Sequence, residues 1–297
     1  MSEAQMQGLV KGQTLTDAEL ASIEQLMVTC NRFENLRMRL GMEMLRLRSG
    51  KEIYDYLYYE QDMLVGYLGL DDFWLSEREA VAMVHPDFRR KGIFRQLLTS
   101  AMKAGEKQGL QKLVLVCEQT SQSGQACAKA IGATLDFSEH EMVLGTFRER
   151  ATFDDRLIFR KATSDDLDLL VTILNTEYGT DEVSTQERVI EMLKRPISHF
   201  YIATLGGDDT GCHEPVGSLR LDEVEQEIGI YGFVVRPEYR GRGYGRQMLA
   251  EAIRTVKSSG QKSIMLDVET DNTNAVGLYL SSGFEIRTTY DYYSLTV

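Results

Sequence analysis

Along the second half of the chain the apolar positions change period in a regular order. Residues 228–235 (IGIYGFVV) form an apolar, β-branched and aromatic run, the pattern of a buried strand, and Pro237 ends it. A glycine-rich turn, RGRGYG at 240–245, comes next. Met248, Leu249, Ala252, Ile253 and Val256 then recur on one face of a helix that Gly260 closes, and 263–268 returns as a strand. Upstream, 157–170 reads as a strand, a Ser164 or Asp165 cap and a helix start. Residues 199–205 and 215–221 read as a hairpin around the polar loop 206–214. In the first half Tyr54, Tyr56, Tyr58 and Tyr59 alternate as in an amphipathic strand, which favours sheet over an aromatic cage.

The strand–turn–helix segment occurs twice. Residues 82–102 align with 233–253 at an offset of 151 without a gap, and the register continues to Gly132/Gly283. Identities include Val84/Val235, Pro86/Pro237, Arg89/Arg240, Gly92/Gly243, Arg95/Arg246 and Glu118/Glu269. An offset of half the chain means two copies of one domain, not a solenoid. The polar stretch 148–156 separates them, which divides the chain into 1–152 and 153–297.

Composition narrows the function classes. With 297 residues, 43% hydrophobic and 26% charged, the chain can bury two cores, and disordered classes drop out. The net charge of −12 falls mostly on 151–297, at −9. No broad cationic face is left for nucleic acid, while a cationic substrate such as an amine would be attracted. No apolar stretch reaches the roughly 18 residues of a membrane span. The first residues lack the pattern of a secretory signal. Cys30, Cys117, Cys127 and Cys212 show no CxxC or disulfide spacing, and read as reduced thiols of a cytoplasmic protein.

The chemistry concentrates in the glycine turn. A strand running through RGRGYG into a helix presents unpaired backbone N–H groups at a helix N-terminus, an anion site suited to phosphate. Arg240, Arg242 and Arg246 add positive charge. The order of small βα units expected of a Rossmann fold is absent, and no Walker A motif occurs.

VRPEYRGRGYG at 235–245 resembles the acyl-CoA pyrophosphate loop of the GNAT superfamily of N-acetyltransferases, R/Q-x-x-G-x-G/A. LDVETDNTNAVGLYLSSGF at 266–284 is similar to a second family pattern, L-x-V-x-x-x-N-x-x-A-x-x-L-Y-x-x-x-G-F. The first half resembles the family more weakly. The resemblance implies an α/β (α+β) fold of two tandem GNAT domains, each a mixed, mostly antiparallel twisted sheet flanked by helices. It implies a degenerate N-terminal copy and a C-terminal acetyltransferase that uses acetyl-CoA as co-substrate and an amine as acceptor. Cofactor contacts would come from Phe233, Val234, Val235, Arg240, Gly241, Arg242, Gly243, Tyr244, Gly245, Arg246 and Asn272. Tyr279 would serve as the acid beside the thioester sulfur. Asp267 is the first candidate for the base, with Glu227 and then Glu269 as alternatives.

At the same offset the first copy has Ala128 opposite Tyr279, Ser121 opposite Asn272 and Val116 opposite Asp267. No chemistry is expected there, although Arg89, Lys91 and Gly92 persist and leave room for CoA as a structural ligand. His85, His140, His199 and His213 lack metal spacing, so no metal is expected, and Cys212 beside His213 lacks the third partner of a nucleophilic dyad. A non-catalytic acyl-CoA-binding or sensor protein is the alternative reading, which release of free thiol would separate from an enzyme. No nucleic acid or membrane partner is expected; a homodimer stays open, as do the acceptor's identity and the acyl chain length.

Overall fold

The computed structural model describes residues 5–38, 40–48, 50–74, 77–149, 154–178, 182–206, 214–224, 227–260 and 262–297. In chain order the first half forms β1 (Gly8–Gly12), α1 (Asp17–Glu34), α2 (Met42–Arg46), β2 (Asp55–Glu60), β3 (Met63–Trp74), β4 (Glu77–Val84), α3 (Ile93–Lys107), β5 (Lys112–Glu118), α4 (Gln122–Ala130) and β6 (Thr134–Leu144). The second half forms β7 (Leu157–Lys161), α5 (Leu167–Tyr178), α6 (Glu182–Leu193), β8 (Ser198–Leu205), β9 (Glu214–Val224), β10 (Glu227–Val235), α7 (Tyr244–Ser259), β11 (Ser263–Glu269), α8 (Thr273–Ser282) and β12 (Phe284–Thr296). Packing separates two compact units, Met1–Glu139 with Thr288–Val297, and His140–Arg287. Residues 150–153, around the division expected from the repeat, lie outside the described residues.

In the first unit the strand order is β1-β2-β3-β4-β5-β12, antiparallel except for the parallel pair β4–β5. A capping box between Thr16 and Glu19 starts α1, which buries Leu20, Ile23, Leu26 and Cys30 against Leu57, Tyr59 and Tyr67. From the other side α3 packs Ile93, Leu97, Leu98 and Ala101 on Tyr56, Leu68 and Leu70. The tyrosine strand is therefore covered on both faces rather than amphipathic, because a helix lies on each. Beside β5 runs β12, from Tyr290↔Glu118 to Thr296↔Lys112, with Tyr290 and Tyr292 buried against Val114.

In the second unit the order is β6-β11-β10-β9-β8-β7. The expected hairpin is β8 with β9; residues 207–213 of its loop, Cys212 and His213 included, lie outside the described residues. One face of α7 lays Leu249, Ala252, Ile253 and Val256 on Leu219, Leu221, Ile230 and Leu266. Each such buried leucine, isoleucine or valine side chain contributes about 1.5–3 kcal/mol. The opposite face is covered by Leu170, Val171, Ile173 and Leu174 of α5 and Val189 of α6, over Phe200, Ile202 and Val234. The entry to α5 is fixed by Asp166, which accepts from Thr163 N (2.8 Å) and takes both terminal nitrogens of Arg160 (2.7 and 2.8 Å).

Candidate active site

In the second unit β10 pairs with β11 only from Glu227↔Ser263 to Ile230↔Leu266, although β10 runs on to Val235 and β11 to Glu269. Its other edge stays on β9 through a bulge. Tyr231 faces Arg220 and Val234 faces Ser218, so Gly232 (φ +53°) and Phe233 share one partner position. A bulge bends and twists its strand. Here it accompanies the parting of β10 from β11, and a wedge opens whose β10 wall offers main-chain N–H and C=O groups. Gly217 of β9 admits the bulge, because the Val234 carbonyl oxygen lies where any Cβ would stand.

The glycine turn forms the mouth of the wedge. Arg240 ties it to β10 by donating from Nε to Val235 O at 2.8 Å. Gly241 (φ +73°) and Gly243 (φ +90°) take the left-handed conformation, and α7 begins at Tyr244. A Cβ at either glycine would meet no atom within 4 Å, so the space in front of the helix start is open. Arg240, Gly241, Arg242 and Gly243 are exposed, and the Arg242 guanidinium lies 6.0 Å from the centre of the Tyr239 ring. Tyr244 turns inward and donates its hydroxyl to Asp154 at 2.9 Å. Arg246 donates to Ser281 Oγ (2.6 Å) and Ser282 Oγ (3.3 Å) at the end of α8, where a cation suits the helix dipole. The side chains of Tyr244 and Arg246 thus fasten the turn, and what they present to the mouth is backbone.

Inside the wedge the predicted residues fall on different walls. Val234 faces away, buried against α5, while the half-buried Phe233 lies with its ring centre 6.4 Å from that of Tyr279. Tyr279 of α8 is itself 7% exposed and also packs edge-on against Phe284. Asn272 caps α8, its side-chain oxygen accepting from Ala275 N at 3.1 Å. On β11, Ile264, Leu266 and Val268 enter the core beneath α7, so Asp267 shares the other face with Met265. The parallel register sets Asp267 one step past the last pair, Ile230↔Leu266, where the strands part. Tyr279 and Asp267 therefore approach the wedge from opposite faces of β11.

Glu227 is placed differently. Both its oxygens accept from Arg287 of β12 (2.7 and 2.9 Å), and the same guanidinium binds the buried Glu141 of β6. These bonds push the Arg287 pKa further up, so its charge is permanent. This network had no sequence signal, since the arginine lies 60 and 146 residues from its partners. Among the described residues no group of His, Cys, Asp and Glu could hold a metal ion, and no helix is long and apolar enough to cross a membrane.

The first unit repeats part of this geometry. β4 pairs with β5 from Glu77↔Lys112 to Ala80↔Leu115 and then parts from it, but its ladder with β3 runs unbroken from Gly66↔Val84 to Asp72↔Arg78, without the bulge. Arg90 (φ +66°) and Gly92 (φ +81°) keep the turn's left-handed backbone.

Two copies of an α/β unit whose sheet parts between two parallel strands, each followed by a left-handed turn and a helix, define the acyltransferase class of fold. The model of the acetyltransferase (GNAT) family matches residues 21–133 and 167–284. The chain belongs to that family, and is an enzyme of the tandem kind. It is 27% identical over 273 residues to a mycothiol acetyltransferase of Streptomyces bingchenggensis, covering 83% of this chain and 82% of that one. Over 93 residues, 31% of this chain and 56% of the relative, it is 35% identical to the N-alpha-acetyltransferase RimI of Mycobacterium tuberculosis. In fold it is similar to a GCN5-related N-acetyltransferase from Sphaerobacter thermophilus, with a TM-score of 0.80, 17% identity and coverage of 99% and 97% of the two chains. A tandem GNAT protein from the clavulanic acid biosynthesis pathway has a TM-score of 0.69 at 17% identity, with 97% and 98% covered.

Proposed function

We propose that the second unit is an acetyl-CoA-dependent N-acetyltransferase that acetylates a primary amine of a small molecule or peptide by direct attack in a ternary complex. The parting of β10 from β11 at Tyr231 carries this reading. The pantetheine arm would lie along β10 as an added strand, bonded to main-chain groups of Phe233 and Val235. Its pyrophosphate would meet the N–H groups of 240–245 at the start of α7. Asn272 would contact the arm from the start of α8.

An amine with a pKa of about 10 is protonated at pH 7, so a base must act first. Asp267 takes that proton, directly or through water. Glu227 is the weaker candidate, because both its carboxylate oxygens are engaged by the Arg287 guanidinium. As the C–N bond forms, negative charge grows on the thioester oxygen, and an N–H of the β10 bulge donates to it. The C–S bond then breaks, and Tyr279 protonates the departing thiolate. The mycothiol acetyltransferases that match both halves favour a small-molecule amine over a protein N-terminus. The charge of −9 on 151–297 suits a cationic acceptor.

Thiol release from acetyl-CoA by the full chain, measured across a panel of amines, tests the reading. Sustained release with at least one amine is expected. Stabilisation by acetyl-CoA with no release across the panel would point to an acyl-CoA-binding protein instead.

A further inference from the structure

In the first unit the two sides of the corresponding wedge are bridged from within the unit. The end of α1 lies across the gap between β4 and β5. Cys30 Sγ donates to Val84 O at 3.5 Å, at the last residue of β4. Glu34, the last residue of α1, joins the two sides of the mouth. Its carboxylate accepts from Ser121 Oγ (3.0 Å), Ser123 Oγ (2.8 Å) and Ser123 N (3.2 Å) at the start of α4, and it pairs with Arg89 of the turn at 3.4 Å. Beyond it Arg37 N donates to Glu118 at the end of β5 (2.5 Å), and Arg37 O accepts from the Tyr290 hydroxyl (2.6 Å). Burial opposes the charge of Glu34, but the bonds from Ser123 and Ser121 and the nearby Arg89 outweigh it and hold its pKa below the usual carboxylate range.

The turn itself keeps the shape of its counterpart in the second unit. Arg90 stands at φ +66° where the second unit has Gly241 at +73°, and Arg89 Nε donates to Val84 O at 3.1 Å as Arg240 does to Val235 O. A left-handed backbone is disfavoured for a residue that carries a side chain, so this conformation is maintained against its own preference. The matching helix start in the second unit is capped by its own Asn272. In the first unit Ser121 caps α4 in the same way, its Oγ accepting from Gly124 N at 3.1 Å, and Glu34 adds a carboxylate from a different element.

We infer that Glu34 is a built-in anion occupying an acyl-CoA cradle in the first unit, so that the chain binds one acyl-CoA and opens a second site only when the end of α1 is released. The inference rests on the reading of the second unit's wedge as the acyl-CoA site. Glu34 competes with the acyl-CoA arm for the start of α4, the counterpart of the α8 start where Asn272 would meet the arm, and it holds the Arg89 charge at the edge of the turn. Truncating Glu34 to alanine removes both the plug and the repulsion it exerts on a phosphate, and neutralising it removes the repulsion.

Equilibrium dialysis of the full-length protein with acetyl-CoA tests this, using Glu34→Ala, Gly243→Trp and the double variant. The expected stoichiometries are one per chain for the unsubstituted protein, none for Gly243→Trp, two for Glu34→Ala and one for the double variant. Should Glu34→Ala melt early, Glu34→Gln, with the same shape and no charge, carries the same test. Binding retained by Gly243→Trp alone means that the first unit is already open and overturns the inference. So does a double variant that binds nothing. Failure of the second-unit reading would look different: the unsubstituted protein would bind no more acetyl-CoA than Gly243→Trp, or would bind it without turnover.

Discussion

Replacing Gly217 with alanine should damage the wedge from a strand that does not line it. The new methyl would fall on the Val234 carbonyl oxygen, a backbone atom that cannot rotate away, and would also stand 3.1 Å from Met248 Cε. Overpacking a tight site costs about 1–3 kcal/mol, and a backbone obstacle belongs at the upper end. The lower freedom of alanine in the unfolded chain offsets roughly 0.4–1 kcal/mol of this. A net loss of about 2–2.5 kcal/mol lowers Tm by roughly 4–10 °C for a unit of this size. The bulge is also the route by which the effect reaches the ligand. Acetyl-CoA at 100 times its Kd should stabilise the unsubstituted protein by about 2.7 kcal/mol, and Gly217→Ala should lose most of that. Gly277→Ala is the control, because in α8 a Cβ meets nothing within 4 Å. It should gain about 0.5–1 kcal/mol and keep the full ligand shift. Equal melting temperatures and equal ligand shifts for Gly217→Ala and the unsubstituted protein would refute the assignment of the bulge to Gly217.

The remaining expectations concern individual side chains. Tyr279→Phe should lower kcat by roughly 10²–10⁴ with little change in KM, since the lost hydroxyl acts only as the thiolate departs; an unchanged kcat removes it as the acid. Asp267→Asn should flatten the acidic limb of the pH–rate profile, and if Glu227→Gln alone does so the base has been misassigned. Asp166→Asn should cost about 1–2 kcal/mol, the range of a lost cap. The bonds from Arg160 lower the Asp166 pKa to about 2, which outweighs the opposing effect of burial. A depressed folded pKa stabilises above the unfolded value of about 3.9, so the gap between the two proteins should stay level from pH 8 to 5 and close only as pH falls towards 2. Burial pushes the Cys117 thiol up to about 12, so at pH 8 it should react with thiol reagents far more slowly than a free cysteine, as mass-resolved labelling would show.

How much could be read beforehand depended on how local each signal was. The turn at 240–245 and the helix after it were legible because glycine placement and a 3.6-residue period are written in adjacent positions. The bulge was not, since it depends on Gly217 and Val234 meeting across two strands. Glu227 shows the same limit: its place at the entry to β10 was visible, but its chelation by Arg287, at the paired end of β10 and β11 away from the wedge, was not. Repeat alignment also equates β12 with β6, and so cannot tell which copy's last strand runs beside β5. Likewise the plugging of the first cradle by Glu34 left no trace in the aligned segment, because α1 lies outside it.

The placing of β12 beside β5 has a consequence in time. The bond from Gln119 to Asp291 spans 172 residues, so the first unit contains residues made long after the rest of it. At the usual elongation rate of about 5–20 residues per second, β5 waits roughly 10–35 s for its neighbour. Throughout that interval Leu113, Val114 and Leu115 belong to an unpaired strand edge, the kind of surface that recruits other strands. The half of the protein synthesised first is thus the half completed last. A nascent chain of this enzyme needs protection at its beginning until residues 288–297 have emerged.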